Sequence, residues 1–212
     1  LYIGLQYTTS LNAAIYMSTT PALVLLINKF FFKERISARN IAGVILSTVG
    51  VIWLVSQGDM INARVFAHLN QGDFWTMGSA LSWAVYCAFL RIKPREVKGN
   101  AFVAVSALLG AIVLIPVLAL ELIRNGMPGW NSYANTGFVT GLAYLVIFPS
   151  WLSYLLWNKG ISAIGATRGE IYSHLIPLSG GLFSVMFLHV ALHSYHLVSA
   201  LVIMCGIALC SR

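Results

Sequence analysis

Charged side chains are scarce in this 212-residue chain, where Asp, Glu, Lys and Arg make up 9% of the residues. A soluble domain carries roughly 25% charged residues. Hydrophobic residues make up 58%, and the mean hydropathy is +0.81. This composition excludes a soluble domain, a disordered chain and a nucleic-acid-binding protein. We therefore assign the excess of 13 Lys and Arg over 6 Asp and Glu to the flanks of membrane spans.

Cysteine is also rare, and Cys87, Cys205 and Cys210 all lie inside apolar stretches. Such positions indicate small packing residues, not a disulfide framework or a metal centre. The sequence also contains no phosphate-binding loop, dinucleotide fingerprint, nucleophile elbow or CxxC pair. We therefore expect no cofactor, no metal and no catalytic residue.

Long apolar windows recur along the chain, each close to the ~20 residues that cross a bilayer as a helix. They are continuously apolar, unlike the alternating ten-residue strands of a membrane barrel. They predict an all-α, polytopic membrane helix bundle with seven spans, at 11–32, 40–57, 74–91, 101–122, 137–158, 169–188 and 193–211. Residues 1–8 resemble the tail of a further span, so we expect the sequence to be a fragment of a longer protein.

The basic residues predict the orientation of these spans. All Lys and Arg residues except Arg64 and Arg124 lie at the ends of the first, third, fifth and seventh spans or in the segments after them, which must share one side of the membrane. Cytoplasmic loops carry the excess of Lys and Arg. We therefore expect an integral membrane protein with a cytoplasmic C-terminus, in a bacterial cytoplasmic (inner) membrane.

An internal similarity relates the first predicted span to the sixth. A shift of 156 residues places Tyr16 on Tyr172, Pro21 on Pro177 and Gly50 on Gly206. Chance similarity between two apolar segments is the alternative, and the tyrosine and proline matches argue against it. Five membrane crossings separate the copies, so the copies have opposite orientations. Inverted repeats are typical of secondary transporters, in which two similar halves rock about a site near the midplane.

Several motifs resemble the EamA-type repeat of the drug/metabolite transporter superfamily. The first copy is carried by the stretch 7–21, the triplet Lys33-Glu34-Arg35 and the glycines of 43–50. Gly72-Asp73 with residues 80–86, and then residues 165–177, resemble the second copy. The resemblance implies two inverted five-helix repeats, the first of them incomplete here.

The same resemblance divides the chain. It assigns residues 1–58 to the C-terminal part of the first repeat, 59–73 to an external loop, and 74–212 to the second repeat. Glu34 has no acidic counterpart in the second copy, where Val190 stands at the shifted position. We interpret Glu34 as an interfacial residue paired with Lys33 or Arg35.

Aromatic and polar side chains share faces of three predicted helices, and Tyr172, the repeat counterpart of Tyr16, joins them. Helical spacing groups these residues within each helix. Such faces are suited to a substrate pathway for a small organic molecule, in which rings stack and amides form hydrogen bonds. The alternative is that they are interfacial anchors and helix-packing contacts. The residues are Asn12, Tyr16, Trp83, Tyr86, Trp151, Tyr154, Asn158 and Tyr172.

Ionisable and helix-bending residues complete the candidate site. Glu170 and His174 are one turn apart, and ionisable groups in a span are functional candidates because their burial is costly. They predict proton coupling or substrate binding, with an interfacial Glu170 beside Arg168 as the alternative. Pro21 and Pro177 are candidate hinges, because proline frees a backbone carbonyl and bends a helix.

We expect a secondary transporter, an exporter of metabolites, amino acids or drugs that works by alternating access. Its partners would be a small-molecule substrate and the lipid bilayer, with no nucleic acid; the oligomeric state stays open. The alternative is a membrane-embedded enzyme that uses Glu170 with His174, or the cluster of His189, His193 and His196. That cluster has metal-like spacing, but it falls in a predicted loop without a carboxylate or cysteine, so we assign it no metal. A non-transporting seven-helix receptor would not need two equivalent halves.

Overall fold

The computed structural model describes residues 1–59, 70–94, 96–126, 129, 135–188 and 191–211, and these residues contain helices and no strands. The prediction of an all-α protein is therefore confirmed. In chain order the helices are α1 (Tyr2–Leu5), α2 (Ser10–Ser18), α3 (Thr20–Phe30), α4 (Ala38–Val55), α5 (Gln71–Phe89), α6 (Gly99–Asn125), α7 (Thr136–Leu145), α8 (Ser153–Ile164), α9 (Ala166–Gly169), α10 (Leu175–Leu188) and α11 (Ser194–Ser211). Short 3₁₀ segments cover Leu90–Ile92 and Glu170–His174, and a π-helical segment covers Val146–Leu152.

Five helical stretches in the described residues are long and apolar enough to cross a membrane, and they are Asn12–Phe30, Ala38–Val55, Gly99–Asn125, Thr136–Ile164 and Ser194–Ser211. Each coincides with one of the seven predicted windows.

The windows 74–91 and 169–188 differ from the prediction. The first corresponds to α5, which begins with the polar residues Gln71 and Asp73 and does not reach the apolarity of the others. The second is divided between the 3₁₀ segment Glu170–His174 and α10, which has 14 residues.

Local hydrogen bonds explain where several helices begin. Thr9 caps α2 through its hydroxyl, and Ser37 caps α4 in the same way. Asn70 and Asp73 form a reciprocal capping box at the start of α5, in which each side chain accepts a backbone N–H of the other residue. Such caps satisfy N–H groups that have no partner within the helix.

The chain forms two compact units, residues 1–91 with 164–212, and residues 92–163. The first unit has a core in which α4 and α11 pack along each other; its members are Leu25, Val44, Val51, Ile171, Ile203, Ile207 and Cys210. In the second unit, α6 buries Val103 and leaves most of its other apolar side chains exposed, as expected for a lipid-facing helix. These two units are defined by the compactness of the fold, whereas the division of the chain at the predicted external loop 59–73 was based on sequence similarity.

Candidate functional site

The first unit contains two helix breaks at positions that the 156-residue shift relates. The first break separates α2, which ends at Ser18, from α3, whose first turn contains Pro21. The second lies between the 3₁₀ segment, which ends at His174, and α10, whose first turn contains Pro177. Proline is tolerated in the first turn of a helix, where its missing N–H has no intrahelical acceptor to lose. Both predicted hinge prolines therefore lie directly after a break.

His174 is 1% exposed and connects three elements. Its Nε2 lies 3.0 Å from the backbone carbonyl of Ser18, the last residue of α2, and its Nδ1 lies 2.8 Å from the hydroxyl of Ser47 on α4. A carbonyl oxygen only accepts hydrogen bonds, so Nε2 carries the proton. In the neutral ring Nδ1 then accepts the Ser47 proton. The Ser47 hydroxyl also lies 3.1 Å from the Val44 carbonyl, so it has a second acceptor within reach.

Glu170 is fully buried at the start of the same 3₁₀ segment. The indole Nε1 of Trp83 donates a hydrogen bond to its Oε1 at 2.9 Å, and the Cys87 thiol and Ser173 hydroxyl lie beside the carboxyl group. The Trp83 ring stacks on that of Tyr86, with centroids 5.5 Å apart. Among the described residues, no Lys or Arg forms an ion pair with Glu170. The structure therefore brings together three predicted pathway residues: Glu170, Trp83 and Tyr86.

Glu170 and His174 make their hydrogen bonds with different helices, Glu170 with α5 and His174 with α2 and α4. Tyr172, which lies between them in the 3₁₀ segment, is 37% exposed. The interfacial alternative for Glu170 required a solvated carboxylate, and the carboxyl group is instead enclosed.

Asn12 and Tyr16 lie near an acidic side chain that sequence reasoning did not select. The Thr8 hydroxyl donates a hydrogen bond to Asp73, which also interacts with the Asn12 side chain. Tyr16, which is 6% exposed, lies within electrostatic range of the same carboxylate. The signal for Asp73 was the Asn70-x-x-Asp73 pattern, which predicts a helix start and does not by itself indicate a polar cluster.

Another group of polar side chains lies in the first unit, at the end that the distribution of basic residues predicts to be cytoplasmic. The Asn28 amide donates to the Thr167 hydroxyl at 2.8 Å, and that hydroxyl donates to Glu34 at 2.7 Å. Glu34 in turn pairs with Arg91 at 2.9 Å. The interpretation of Glu34 as a partner of Lys33 or Arg35 was therefore wrong. Its partners are distant in sequence, because the chain bends back after α3 through Lys33, whose φ is 51°.

Trp151, Tyr154 and Asn158 belong to the second unit, where the expected regular helix is interrupted. Residues 146–152 form wider π turns around Pro149, with the side chains of Ser150 and Ser153 bonded to carbonyls five residues earlier. Trp151 is 45% exposed, Tyr154 is 38% exposed and Asn158 is buried. The three side chains therefore do not share one environment, and Trp151 lies in the π segment whereas Tyr154 and Asn158 lie in the α-helix that follows it.

The histidine cluster lies partly outside the described residues, because it includes His189. His193 and His196 follow at the start of α11, where their rings are 5.9 Å apart and Tyr195 stacks on both. The His193 backbone N–H donates to His196 Nδ1 at 3.0 Å, which occupies one nitrogen of that ring. Within the described residues, no group of three or more His, Cys, Asp and Glu is arranged to hold a metal ion.

Comparison with known proteins gives matches along almost the whole chain. The model of the EamA-like transporter family matches residues 1–56 and 70–212. The chain is 25% identical over 177 residues to the uncharacterized transporter YyaM of Bacillus subtilis, covering 84% of this chain and 56% of that protein. It is 26% identical over 211 residues to an uncharacterized transporter of Archaeoglobus fulgidus, covering 98% of this chain and 69% of that protein.

A solved crystal structure shares the fold, with a TM-score of 0.77 at 20% identity, over 98% of this chain and 69% of the other. The chain thus spans about half to two thirds of the length of these similar proteins. With this family match and its apolar helices, the chain is an integral membrane protein and belongs to the EamA-like transporter family.

Proposed function

We propose that the protein is a secondary transporter that exports small organic solutes by alternating access. The observation that carries this proposal is the fully buried Glu170 carboxyl group beside the stacked Trp83 and Tyr86 rings. Burial of a carboxyl group away from cations is costly, so such a group in a membrane segment indicates a role in binding or proton transfer. The aromatic rings offer apolar surface for a solute.

The helix breaks support the same proposal. Transporters place their sites where membrane helices are interrupted and where two inverted repeats meet. Here both breaks lie in the first unit, and Glu170 and His174 belong to the 3₁₀ segment that forms one of them. Residues 1–58 and 74–212 would supply the two repeats. The family resemblance to drug and metabolite transporters supports the outward direction.

Flux through purified full-length protein in lipid vesicles tests this function. The probes are ethidium and the radiolabelled proteinogenic L-amino acids, each measured with and without an imposed pH gradient. We expect at least one probe to move faster than in protein-free vesicles, and Glu170→Gln to abolish that movement. Glu121→Gln is the matched control, since Glu121 is an exposed carboxyl group that accepts a hydrogen bond from Asn125 of its own helix. Movement of no probe, or equal movement by both variants, would contradict the proposal.

We also propose that the C-terminus is cytoplasmic and that the protein resides in a bacterial cytoplasmic membrane. The distribution of Lys and Arg supports this orientation. Single cysteines at Arg39 and Arg168 should react with a membrane-impermeant maleimide only from the cytoplasmic side, and one at Arg124 only from outside. Reaction of Arg39→Cys and Arg124→Cys from the same side would exclude this topology.

A membrane-embedded enzyme is not favoured by the described residues. Glu170 and His174 would have to act on one substrate, and each is engaged with a different helix.

A further inference from the structure

His174 contacts its own counterpart in the other repeat. The 156-residue shift that superimposes Pro21 on Pro177 relates Ser18 to His174, and these two residues are joined by the 3.0 Å hydrogen bond. A two-fold axis that relates two copies of a repeat brings equivalent residues together only next to the axis itself. The bond between Ser18 and His174 therefore marks where the axis relating the two repeats passes.

The crossing of α4 and α11 marks the same axis independently. A Cβ atom on Gly206 would lie 2.8 Å from Cβ of Ser47, and a Cβ atom on Gly50 would lie 2.8 Å from the side chain of Ile203. The shift converts one contact into the other, because it takes Ser47 to Ile203 and Gly50 to Gly206. Ser47, which bonds to His174, is thus part of this symmetric crossing.

We propose that His174 is a positioning residue beside the axis that relates the two repeats, and that its hydrogen bond with Ser47 selects the present arrangement. The proposal rests on the alternating-access function. When two inverted repeats exchange conformations, equivalent residues such as Ser18 and His174 stay neighbours. The pair of Ser47 and His174 is exchanged for the pair of Ile203 and Ser18, and isoleucine has no hydroxyl group. The bond from Ser47 to His174 therefore favours the arrangement seen here.

The polar network of Asn28, Thr167 and Glu34 at the predicted cytoplasmic end also forms in only one of the two arrangements. The shift takes Thr167 to Leu11, and a leucine side chain forms no hydrogen bond, so the bonds of Thr167 with Asn28 and Glu34 have no counterpart after exchange. Ala166, which precedes Thr167, is 8% exposed, and the shift relates it to the exposed Ser10. Exchange of the repeats should therefore expose a cysteine placed at this position, which makes Ala166→Cys a reporter of the arrangement.

Ser47→Ala tests the bond that selects the arrangement. Full-length protein that carries Ala166→Cys is treated with N-ethylmaleimide in lipid vesicles, and modification of the introduced cysteine is followed by peptide mass spectrometry. With Ser47→Ala added, we expect modification about fivefold faster than with Ala166→Cys alone, the equilibrium factor that one hydrogen bond contributes. Ser199→Ala is the matched control, since Ser199 is equally buried and its hydroxyl bonds to carbonyls of its own helix. An unchanged rate in Ser47→Ala would overturn the proposal.

An exchanged variant tests the axis. Ser18→His, His174→Ser, Ser47→Ile and Ile203→Ser together move the imidazole and its hydroxyl partner to the equivalent positions of the other repeat. We expect this variant to regain probe flux that His174→Ser alone loses and, when combined with Ala166→Cys, to be labelled at that position faster than Ala166→Cys alone. A purely structural His174 would leave the exchanged variant no better than His174→Ser, which would overturn the axis assignment.

These outcomes separate the inference from the proposed function. Labelling of the cysteine introduced by Ala166→Cys requires no solute, so its result holds whether or not a probe is transported. If the exchanged variant does not insert into membranes, the comparison of Ser47→Ala with Ser199→Ala decides alone. If labelling behaves as expected and no probe crosses the vesicle membrane, the transport function fails while the two arrangements remain.

Discussion

The two helix breaks differ in where their polar groups are directed. At the first break, the hydroxyls of Ser18, Thr19 and Thr20 donate to carbonyls three residues earlier in the same helix. At the second break, the side chains of Glu170 and His174 reach other helices instead. The first break therefore satisfies its own backbone, whereas the second uses its side chains for contacts across the first unit.

This difference arises because equivalent positions of the two repeats carry different side chains. The shift places Ala14 opposite Glu170 and Ser18 opposite His174, so the first copy has small side chains where the second has ionisable ones. Small residues at the first break leave the Ser18 carbonyl available, and His174 uses it. The first copy thus supplies a backbone hydrogen-bond acceptor, and the second copy supplies the ionisable side chains.

Replacement of His174 should have the largest effect of the changes that break this comparison. His174→Leu keeps an apolar volume but leaves the Ser18 carbonyl and Ser47 hydroxyl without their partner. We expect a loss of about 2–4 kcal/mol in the free energy of unfolding, from two buried hydrogen bonds. A thermal unfolding curve of the purified protein in detergent measures this loss.

The equivalent change in the first copy provides the control. Ser18→Ala removes a hydroxyl that bonds within its own helix and keeps the backbone carbonyl that His174 uses. We expect it to cost less than about 1 kcal/mol. Equal losses in Ser18→Ala and His174→Leu would contradict the difference between the two breaks.

Equivalent glycines of α4 and α11 should give the next largest difference. A Cβ atom on Gly206 would lie 2.6 Å from the Gly43 carbonyl oxygen and 2.6 Å from the Ser47 nitrogen, both of them backbone atoms. On Gly50 the nearest atom, at 2.8 Å, is a side-chain carbon of Ile203, and the nearest backbone atom, the Ile203 nitrogen, is farther away at 3.0 Å. We expect Gly206→Ala to cost about 1–3 kcal/mol and Gly50→Ala less.

The same unfolding curves check this order, with Gly141→Ala as the control because a Cβ atom there would meet nothing within 4 Å. A cost for Gly50→Ala as large as that for Gly206→Ala would show that the crossing cannot adjust its side chains at either glycine.

The sequence was sufficient to predict the helical architecture and, at Pro21 and Pro177, two candidate hinges that lie close to the breaks. Apolar windows define membrane helices directly, and proline at Pro21 and Pro177 restricts the residue before it. Partners that are far apart in sequence could not be predicted this way. Glu170 meets Trp83, which lies 87 positions earlier, and Glu34 meets Arg91. Periodicity groups residues within one helix, whereas such contacts depend on how helices pack.

The assumption of regular α-helical spacing also explains one difference between the predicted helix faces and the structure. The faces of Asn12 with Tyr16 and of Trp83 with Tyr86 lie in uninterrupted α-helices. Trp151 lies in the π segment, which ends at Leu152, whereas Tyr154 lies in the α-helix that follows. Regular α-helical spacing therefore does not relate these two residues. A proline such as Pro149 signals an interruption, but the type of helix that follows depends on packing.

Replacement of Thr20 should have a smaller effect, and it tests whether the first break satisfies its own backbone carbonyls. Its hydroxyl donates to the Met17 carbonyl, which lies four residues before Pro21 and so has no N–H partner from that proline. We expect Thr20→Val to cost about 1 kcal/mol, since it leaves a buried carbonyl without a donor. The equivalent change Ile176→Val, at a side chain that is 68% exposed, should leave the unfolding temperature unchanged. A smaller loss in Thr20→Val than in Ile176→Val would contradict the local satisfaction of the first break.

The prolines should have the smallest effect on stability. Pro21 and Pro177 lie in first turns, so replacement by alanine removes no intrahelical hydrogen bond, and we expect a change below about 1 kcal/mol. Alanine also lifts the restriction on the preceding residue, so the helices on the two sides of each break can become continuous. If the breaks act as hinges, Pro177→Ala and Pro21→Ala should slow probe flux several-fold while the unfolding temperature stays within error. Flux equal to that of the unmodified protein in both variants would mean that the prolines only begin helices, and that the breaks are maintained by Thr19, Thr20 and His174 instead.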